Sequence, residues 1–274
     1  MNETFVRIIK ENTEFQVSCN AEPVYRLQDE AYRFLEEKYH LPEIAGEHEL
    51  DKAVNLLAWV SRHIRHTGNY ANTDCQDALT LLGLAFDTDY GINCLAMSVV
   101  LCECLLAVGM KARVMYMMPR HPEDDDNHVV VETFVKELEK WIMMDPTYGS
   151  YCMDAGGSIL NLYEIRNCIV KDEPFFFSDS ICYNGADVDD LEDVKDYYAK
   201  NLFFFRCRRI QGYGEHREYR NMSEIAPKGF DVHKRMVENL RFRIEKYGAF
   251  ELLLKWLEYE EGLQNRYLDP DTFW

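Results

Sequence analysis

The chain has 274 residues, enough for one large domain or two small ones with a sizeable buried core. Its formal charge is −18, so nucleic acid and anionic membranes are not expected partners, because both require a basic protein surface. The nine cysteines are odd in number and irregularly spaced, which is unlike a disulfide framework and favours a reducing compartment. The first residues lack the apolar run of a signal peptide, and no stretch approaches the ~18 apolar residues of a membrane span. We therefore expect a cytoplasmic protein.

The first third of the chain is predicted to contain two amphipathic helices. Residues 1–20 are interpreted as one or two short strands. Apolar residues then recur at helical spacing over 28–40 and, more strongly, over 48–65. A polar loop follows, and Asp74 is expected to cap a short helix that runs through Leu82.

The middle of the chain predicts a buried helix followed by three strands. Residues 94–108 contain one charged residue, Glu103, which is typical of a helix that is buried on all sides. Asn93 suits its N-cap, and Gly109 suits the residue that ends it. Strand-like runs follow, and further helices and strands are predicted beyond them. The strand-like runs are 113–117, 128–135, 141–145, 203–210 and 219–225, and the later helices are 159–170, 188–201 and 231–260. Strands that are grouped, with helices elsewhere, predict the α+β class.

Cys94 is the first candidate for chemistry. It lies in the first turn of the predicted buried helix, where free backbone N–H groups and the helix dipole favour a thiolate. A thiolate is a nucleophile, so this is a suitable position for a catalytic cysteine. The alternative is that Cys94 is one more small apolar residue in a buried helix.

His128 and Asp145 supply the remaining groups of a possible triad. His128 begins one predicted strand and Asp145 ends the next. A hairpin with its turn in residues 136–140 places His128 directly opposite Asp145 on the same face, with Cβ atoms ~5 Å apart. If the buried helix brings Cys94 to this pair, a nucleophile, a base and an orienting acid are assembled as in acyl-transfer enzymes.

Three separated motifs match the pattern of a known superfamily. They are a Cys at the start of a Leu-rich helix that ends in Gly-x-x-Ala-Arg, a strand with His and a Glu four residues on, and Trp-x-x-x-Asp-Pro-Thr. Residues 48–170 therefore resemble the transglutaminase-like superfamily. The resemblance implies that Cys94 is the nucleophile, His128 the base and Asp145 the orienting acid. The matching flanking positions are Gly109, Ala112, Arg113, Glu132, Trp141, Pro146 and Thr147.

The resemblance also implies a papain-like α+β fold, in which a helical part bearing the Cys packs on an antiparallel sheet bearing His and Asp. We expect an N-terminal extension over 1–44, a catalytic core over 45–170, and a C-terminal α/β segment over 171–274. The last segment is expected to complete the cleft and not to fold independently. The chain departs from the family pattern at Asn93, which precedes the Cys, and at Val130, where an aromatic residue is usual.

Several groups could stabilise an oxyanion, and the sequence does not choose among them. The backbone N–H of Cys94 is one natural donor. A second donor from a side chain could be Gln76, Asn69 or His66. The other cysteines lack zinc-ligand spacing, and the acidic run 124–126 is interpreted as a solvated loop. No metal and no cofactor are expected.

These residues predict a cysteine-dependent acyl-transfer enzyme that works through a thioester. Because the sequence contains no recognisable calcium site, hydrolysis of an amide or peptide bond is favoured over protein cross-linking. Two alternatives stay open: a non-catalytic peptide- or protein-binding module on the same fold, and a true transglutaminase or deamidase. The expected partner is a peptide or protein substrate, and the oligomeric state is left open.

Overall fold

The protein is described by a computed structural model, which places residues 1–19, 22–88, 90–217, 222–248 and 266–274. The helices of these residues are α1 (Glu3–Lys10), α2 (Glu30–Tyr39), α3 (Leu41–Ala45), α4 (Glu49–His63), α5 (Ala78–Asp87), α6 (Cys94–Ala107), α7 (Leu162–Lys171), α8 (Leu191–Asn201), α9 (Val232–Tyr247) and α10 (Pro270–Phe273). The strands are β1 (Val24–Tyr25), β2 (Ala112–Met118), β3 (His128–Val135), β4 (Lys140–Met144), β5 (Cys152–Met153), β6 (Phe176–Phe177), β7 (Cys182–Tyr183), β8 (Ala186–Asp187), β9 (Phe204–Arg208), β10 (Ile210–Gln211) and β11 (Met222–Ile225). This mixture confirms the predicted α+β class.

One five-stranded antiparallel sheet organises the fold, in the strand order β11-β9-β2-β3-β4. Strand β2 is buried along its whole length, and β3 along nearly all of it, which explains their continuous apolar sequence. Three two-stranded pairs lie outside this sheet: β1 with β10, β5 with β6, and β7 with β8. None of the described helices has the length and apolar character needed to cross a membrane.

Helix α6 is the buried helix that the sequence predicts. It contacts β2 and β3 and is surrounded by α2, α4 and α5. The Asn93 side chain caps it by accepting a hydrogen bond from the Ala96 N–H at 3.0 Å. Gly109 follows its last turn with φ of 82°, a left-handed conformation that costs glycine little. Asn93 fixes where the helix starts, and therefore where Cys94 lies, and Gly109 fixes where it ends.

The β3–β4 hairpin has a different register from the predicted one. Val131 pairs with Met144 and Val135 with Lys140, so the predicted direct pairing of His128 with Asp145 is wrong. The reason is the connection, a 3-10 turn over Lys136–Leu138 followed by a left-handed Glu139, which shifts the pairing by two residues. A shift of two residues keeps each side chain on its face of the sheet. Asp145 therefore stays on the face of His128, diagonally placed.

Two further local predictions are wrong. Residues 3–10 form helix α1 instead of a strand, because Asn2 caps the segment and Arg7 and Lys10 complement its last turn. Helix α5 is capped by Asp77 instead of Asp74, since the Asp77 carboxylate accepts the Thr80 N–H at 2.9 Å. Asp74 instead accepts a hydrogen bond from the Tyr70 hydroxyl at 3.0 Å.

The C-terminal third of the chain contributes to the same sheet and to its surroundings. Strands β9 and β11 extend the sheet beyond β2, and α1 contacts α7 and α8. The predicted helix over 231–260 is described as α9 up to Tyr247, and its remainder from 249 lies outside the described residues. The division of the chain into three regions stays a prediction.

Candidate active site

Cys94 is the first residue of α6 and is partly exposed, in contrast to the buried residues that follow it. Burial alone would raise the pKa of its thiol. Hydrogen bonds from the imidazoles of His128 and His66, together with their positive charge, outweigh burial and lower that pKa from 9.0 to about 7. A substantial fraction of Cys94 is therefore thiolate at neutral pH.

His128 and Asp145 form a short, buried ion pair. The Nε2 atom of His128 lies 2.6 Å from Oδ2 of Asp145, and both residues are almost completely buried. Burial would lower the pKa of His128, but the charge and hydrogen bond of Asp145 and the contact with Cys94 raise it to about 10. Because Nε2 is used by Asp145, Nδ1 is the ring nitrogen that is free for Cys94.

Asp145 is held by four hydrogen bonds. Its Oδ1 accepts the backbone N–H groups of Thr147 at 2.9 Å and Tyr148 at 3.3 Å. Its Oδ2 accepts the Tyr198 hydroxyl at 2.5 Å in addition to His128. Burial would raise the pKa of Asp145, but His128 and these hydrogen bonds hold it below 3.8. The carboxylate thus stays ionised and fixes the orientation of the imidazole.

Tyrosine rings surround the His128 imidazole. The ring of Tyr197 lies 5.3 Å from it, that of Tyr198 5.8 Å and that of Tyr148 6.0 Å, measured between ring centroids. The Tyr197 hydroxyl donates to the Asn127 carbonyl at 3.2 Å. Tyr197 and Tyr198 belong to α8, outside the part of the chain in which the sequence motifs lie, and no local pattern marks them.

His66 is the second imidazole that interacts with the Cys94 thiol. The 66–67 loop pairs with Ile92, whose carbonyl accepts the Thr67 N–H at 2.9 Å. The β7–β8 hairpin holds His66 further, because its Nδ1 lies 2.9 Å from the Tyr183 hydroxyl and its N–H donates to the Asn184 side chain at 2.7 Å. Two imidazoles therefore flank one thiol.

Gly91 permits this arrangement by letting two loops approach closely. A Cβ atom at this position would lie 3.0 Å from the Arg65 carbonyl oxygen and 3.0 Å from the Thr67 side chain. A contact of this length is tighter than nine in ten real Cβ contacts, so the neighbouring atoms would have to move by a few tenths of an ångström. The absence of a side chain at Gly91 thus allows the 65–67 segment to pack against the residues that precede Cys94.

The three candidates for a second oxyanion donor occupy different places. His66 and Gln76 both line the cavity that contains Cys94, whereas Asn69 is exposed and is not among its lining residues. The Gln76 amide nitrogen donates to the Asp74 carbonyl at 3.0 Å. Of the three, His66 is the one that contacts the thiol.

The cavity has a volume of about 970 Å³ and extends well beyond Cys94. One side carries the acidic run 124–126, as the sequence predicts for an exposed loop. Its charges are partly neutralised, because Lys200 lies 3.1 Å from the Asp124 carboxylate and 3.4 Å from that of Asp126. Among the residues that the structure describes, no group of three His, Cys, Asp or Glu side chains could hold a metal ion.

Three of the matching flanking residues, Arg113, Glu132 and Trp141, form a buried cluster elsewhere on the sheet. The Arg113 guanidinium lies 2.8 Å from the Glu132 carboxylate and is stacked between the rings of Trp141 and Phe273, 3.8 and 3.6 Å from their centroids. Glu132 also accepts the Trp274 indole N–H at 2.7 Å. This cluster ties β2, β3 and β4 to the C-terminal helix α10, so these positions stabilise the sheet and do not contact the thiol.

Comparison with known proteins agrees with the sequence motifs. Residues 42–146 match the model of the transglutaminase-like superfamily, a range that contains Cys94, His128 and Asp145. The resemblance predicted from the sequence is thereby confirmed for this part of the chain, which supports a cysteine-dependent enzyme in general.

The comparison with solved structures gives a weaker likeness. A crystal structure of a candidate cysteine protease from Cytophaga hutchinsonii has 12% sequence identity and a TM-score of 0.33, over 64% of this chain. The aligned part spans about half of that protein, 52% of its length, and at this TM-score the likeness carries no further weight. No curated protein matches the chain.

Proposed function

We propose that the protein is a cysteine-dependent hydrolase of amide or peptide bonds that uses Cys94, His128 and Asp145 as its catalytic triad. One observation carries the proposal: Cys94, at the start of α6, interacts with the imidazole of His128, whose Nε2 lies 2.6 Å from the buried Asp145 carboxylate. This arrangement lowers the pKa of the thiol to about 7 and raises that of His128 to about 10. At neutral pH the proton therefore resides on the imidazole, and the sulfur is available as a nucleophile.

The first half of the reaction forms a thioester. The Cys94 sulfur attacks the carbonyl carbon of the substrate, and the carbonyl oxygen becomes an oxyanion. His128 then donates its Nδ1 proton to the departing nitrogen as the C–N bond breaks. Asp145 keeps the imidazole oriented and stabilises its positive charge throughout.

The second half releases the acid product. A water molecule attacks the thioester carbonyl, and the neutral His128 accepts its proton. The C–S bond breaks, the Cys94 thiolate is regenerated and the imidazole is again protonated. An amine in place of water would give the transfer reaction, so the acceptor decides between hydrolysis and transglutamination.

The oxyanion is assigned to two donors. The Cys94 N–H is one of the first N–H groups of α6, which have no acceptor within the helix. His66 supplies the second, because its Nδ1 is engaged by Tyr183 and its Nε2 can donate toward the thiol. In this assignment His66 stabilises the charge that develops on the substrate oxygen, and His128 moves the proton.

The test uses a complex peptide mixture in water enriched in heavy oxygen, together with a biotinylated primary amine. Wild-type protein is compared with Cys94→Ala and with Cys75→Ala, a matched control because Cys75 is an exposed free thiol. Heavy oxygen at new peptide C-termini identifies hydrolysis. Heavy oxygen on former glutamine side chains identifies a deamidase, and amine adducts identify a transglutaminase.

The expected result is new termini that require Cys94 and persist in the Cys75 variant. If none of the three products forms while Cys94 is still alkylated rapidly, the binding-module alternative replaces the proposal. Products that form equally in the Cys94→Ala variant would also contradict it.

A further inference from the structure

The cavity that contains Cys94 continues to a second group of polar residues, which are supplied by β9, by α9 and by the turn after β10. Strand β9 contributes Arg206 and Arg208, which lie on one face because they are two residues apart. Helix α9 contributes Arg235 and Asn239, one turn apart on one side of the helix. His216, in the turn between β10 and β11, completes the lining.

The three arginines are almost completely buried, with 3–4% of their surface exposed. Arg206 pairs with Glu224, at 3.4 Å between Nε and Oε1. Arg208 and Arg235 form no ion pair with any carboxylate of the described residues. Arg208 donates from Nη2 to the His216 carbonyl at 3.1 Å. Arg235 donates from Nη2 to two backbone carbonyls, each at 3.1 Å.

Several buried donors in this cluster have no acceptor within the described part of the chain. They are the Nε atoms of Arg208 and Arg235, and both ring nitrogens of His216 are likewise without a hydrogen bond. A buried cation whose donors are unsatisfied is costly, and proteins retain such groups where a ligand satisfies them. The Arg208 charge and burial hold the pKa of His216 well below 6.5, so its ring is neutral.

The three carboxylates of the acidic run 124–126 are already engaged by another cation or by a hydroxyl. Asp124 and Asp126 pair with Lys200, at 3.1 and 3.4 Å. Asp125 accepts the Tyr247 hydroxyl at 2.6 Å. The chain as a whole carries a charge of −18, so two buried arginines without an acidic partner are conspicuous in this protein.

We propose that Arg208, Arg235 and His216 form a subsite that binds an oxyanion carried by the substrate, a carboxylate or a phosphate group. A guanidinium binds either group through parallel N–H donors, and the two free Nε atoms and the His216 ring supply further donors. The link between this subsite and bond cleavage rests on the proposed function of Cys94, but anion binding itself does not. Substrates would then be selected by a negative charge at a distance from the scissile bond.

The experiment measures the melting temperature of the full chain, at constant ionic strength set with chloride, in the presence of glutarate or inorganic phosphate. A ligand that binds the folded state raises the melting temperature with concentration. Glutarate tests the carboxylate and phosphate tests the phosphoryl group. Arg208→Met and Arg235→Met are compared with Arg33→Gln, which removes an exposed arginine outside the cavity.

We expect one of the two anions to raise the melting temperature of the wild type and of Arg33→Gln. In each Met variant its affinity should fall about tenfold, which corresponds to ~1.4 kcal/mol. Without anion, the Met variants should be at least as stable as the wild type, because a poorly compensated buried charge is replaced by an apolar chain of similar length. Should either Met variant not fold, Arg208→Lys keeps the charge but loses the forked donor, and reduced anion affinity is again expected.

The proposal is overturned if neither anion stabilises the wild type, or if all variants are stabilised equally. It is also overturned if the Met variants lose stability without anion while their anion response is intact, since the arginines would then be structural. Cys94 alkylation is measured in the same preparations. Rapid alkylation without an anion response contradicts the subsite alone, whereas an anion response with an inert Cys94 contradicts the proposed hydrolase alone.

Discussion

His128→Gln should remove most of the reactivity that the Cys94 thiol shows toward alkylating agents below pH 7. In the wild type the thiol pKa is about 7, against 9.0 without its surroundings. At pH 6 a thiol with pKa ~7 is about one-tenth ionised, whereas one with pKa ~9 is about one-thousandth ionised, a ratio of ~100. A less basic thiolate is also a weaker nucleophile. A Brønsted slope of ~0.45 over this range of pKa reduces the rate advantage of the wild type by a factor of about eight. The net expectation is an alkylation at pH 6 that is up to about tenfold faster in the wild type, because His66 supplies part of the lowering and remains in the variant.

The assay is the second-order rate of alkylation by iodoacetamide between pH 5 and 9.5, with each cysteine resolved by peptide mass mapping. The midpoint for Cys94 should lie near 7 in the wild type and move toward 9.0 in His128→Gln. Cys75, an exposed thiol, serves as an internal control in the same samples, and its profile should not change. A wild-type midpoint near that of Cys75, or an unchanged midpoint in His128→Gln, would refute the reasoning.

Four further predictions follow from the same geometry. Asp145→Asn should lower turnover by about 10⁴, measured as product formed per enzyme. Because the folded-state pKa of Asp145 is depressed, the ionised carboxylate stabilises the folded protein above its unfolded pKa, and this contribution is lost on acidification. Below about pH 4 the urea midpoint should therefore fall more steeply in the wild type than in Asp145→Asn. Tyr198→Phe removes the 2.5 Å hydrogen bond to Asp145 and should cost about 1–2 kcal/mol in urea unfolding and less than tenfold in turnover. His66→Ala should lower turnover by about 10²–10³, and His66→Asn should recover part of it. The rate of Cys94 alkylation at pH 9 should stay within a few-fold of the wild type. An equal loss of turnover and of alkylation would contradict an oxyanion role for His66. Gly91→Ala places a Cβ atom 3.0 Å from the neighbouring backbone. It should lower the free energy of unfolding by about 1–3 kcal/mol and slow Cys94 alkylation at pH 6. Unchanged values of both would show that the two loops can separate freely.

The buried elements of this fold can be predicted from the sequence because a fully buried helix or strand has a long run of apolar residues. Helix α6 has a single charged residue in its interior, Glu103, and its capping residues Asn93 and Gly109 define both ends locally. Cys94, His128 and Asp145 lie at the ends of such elements, which is why the sequence indicates them as candidates. Segments with short apolar runs are ambiguous: residues 1–20 fit one or two short strands, and the helical cap at Asn2 is a weaker signal than their apolar pattern.

The β3–β4 hairpin shows that a predicted register can be wrong while the predicted face of the sheet is right. The turn type was not recognisable from residues 136–140, and the pairing of β3 with β4 differs by two residues from the expected one. The face on which Asp145 lies was nevertheless right, because side-chain alternation is unaffected by an even shift. An error of one residue would have directed Asp145 away from His128.

The remaining groups of the site are brought in by long-range contacts, which a local pattern cannot encode. Tyr198 reaches Asp145 from a helix 53 residues further along the chain. His66 reaches the thiol through pairing of its loop with Ile92 and through a hairpin 117 residues away. The arginine-lined end of the cavity likewise depends on α9 lying beside β9, and neither element carries a motif.

Cys94, His128 and Asp145 are supplied by a helix terminus, a strand start and the residue after another strand. The lowered pKa of the thiol depends on imidazoles that come from elsewhere in the chain, and these act together with the N-terminus of α6. In a nascent or unfolded chain Cys94 is therefore an ordinary thiol, chemically equivalent to the other cysteines. Its reactivity at low pH arises only when α6 docks on the sheet, so the rate of alkylation during refolding reports the step that completes the tertiary structure.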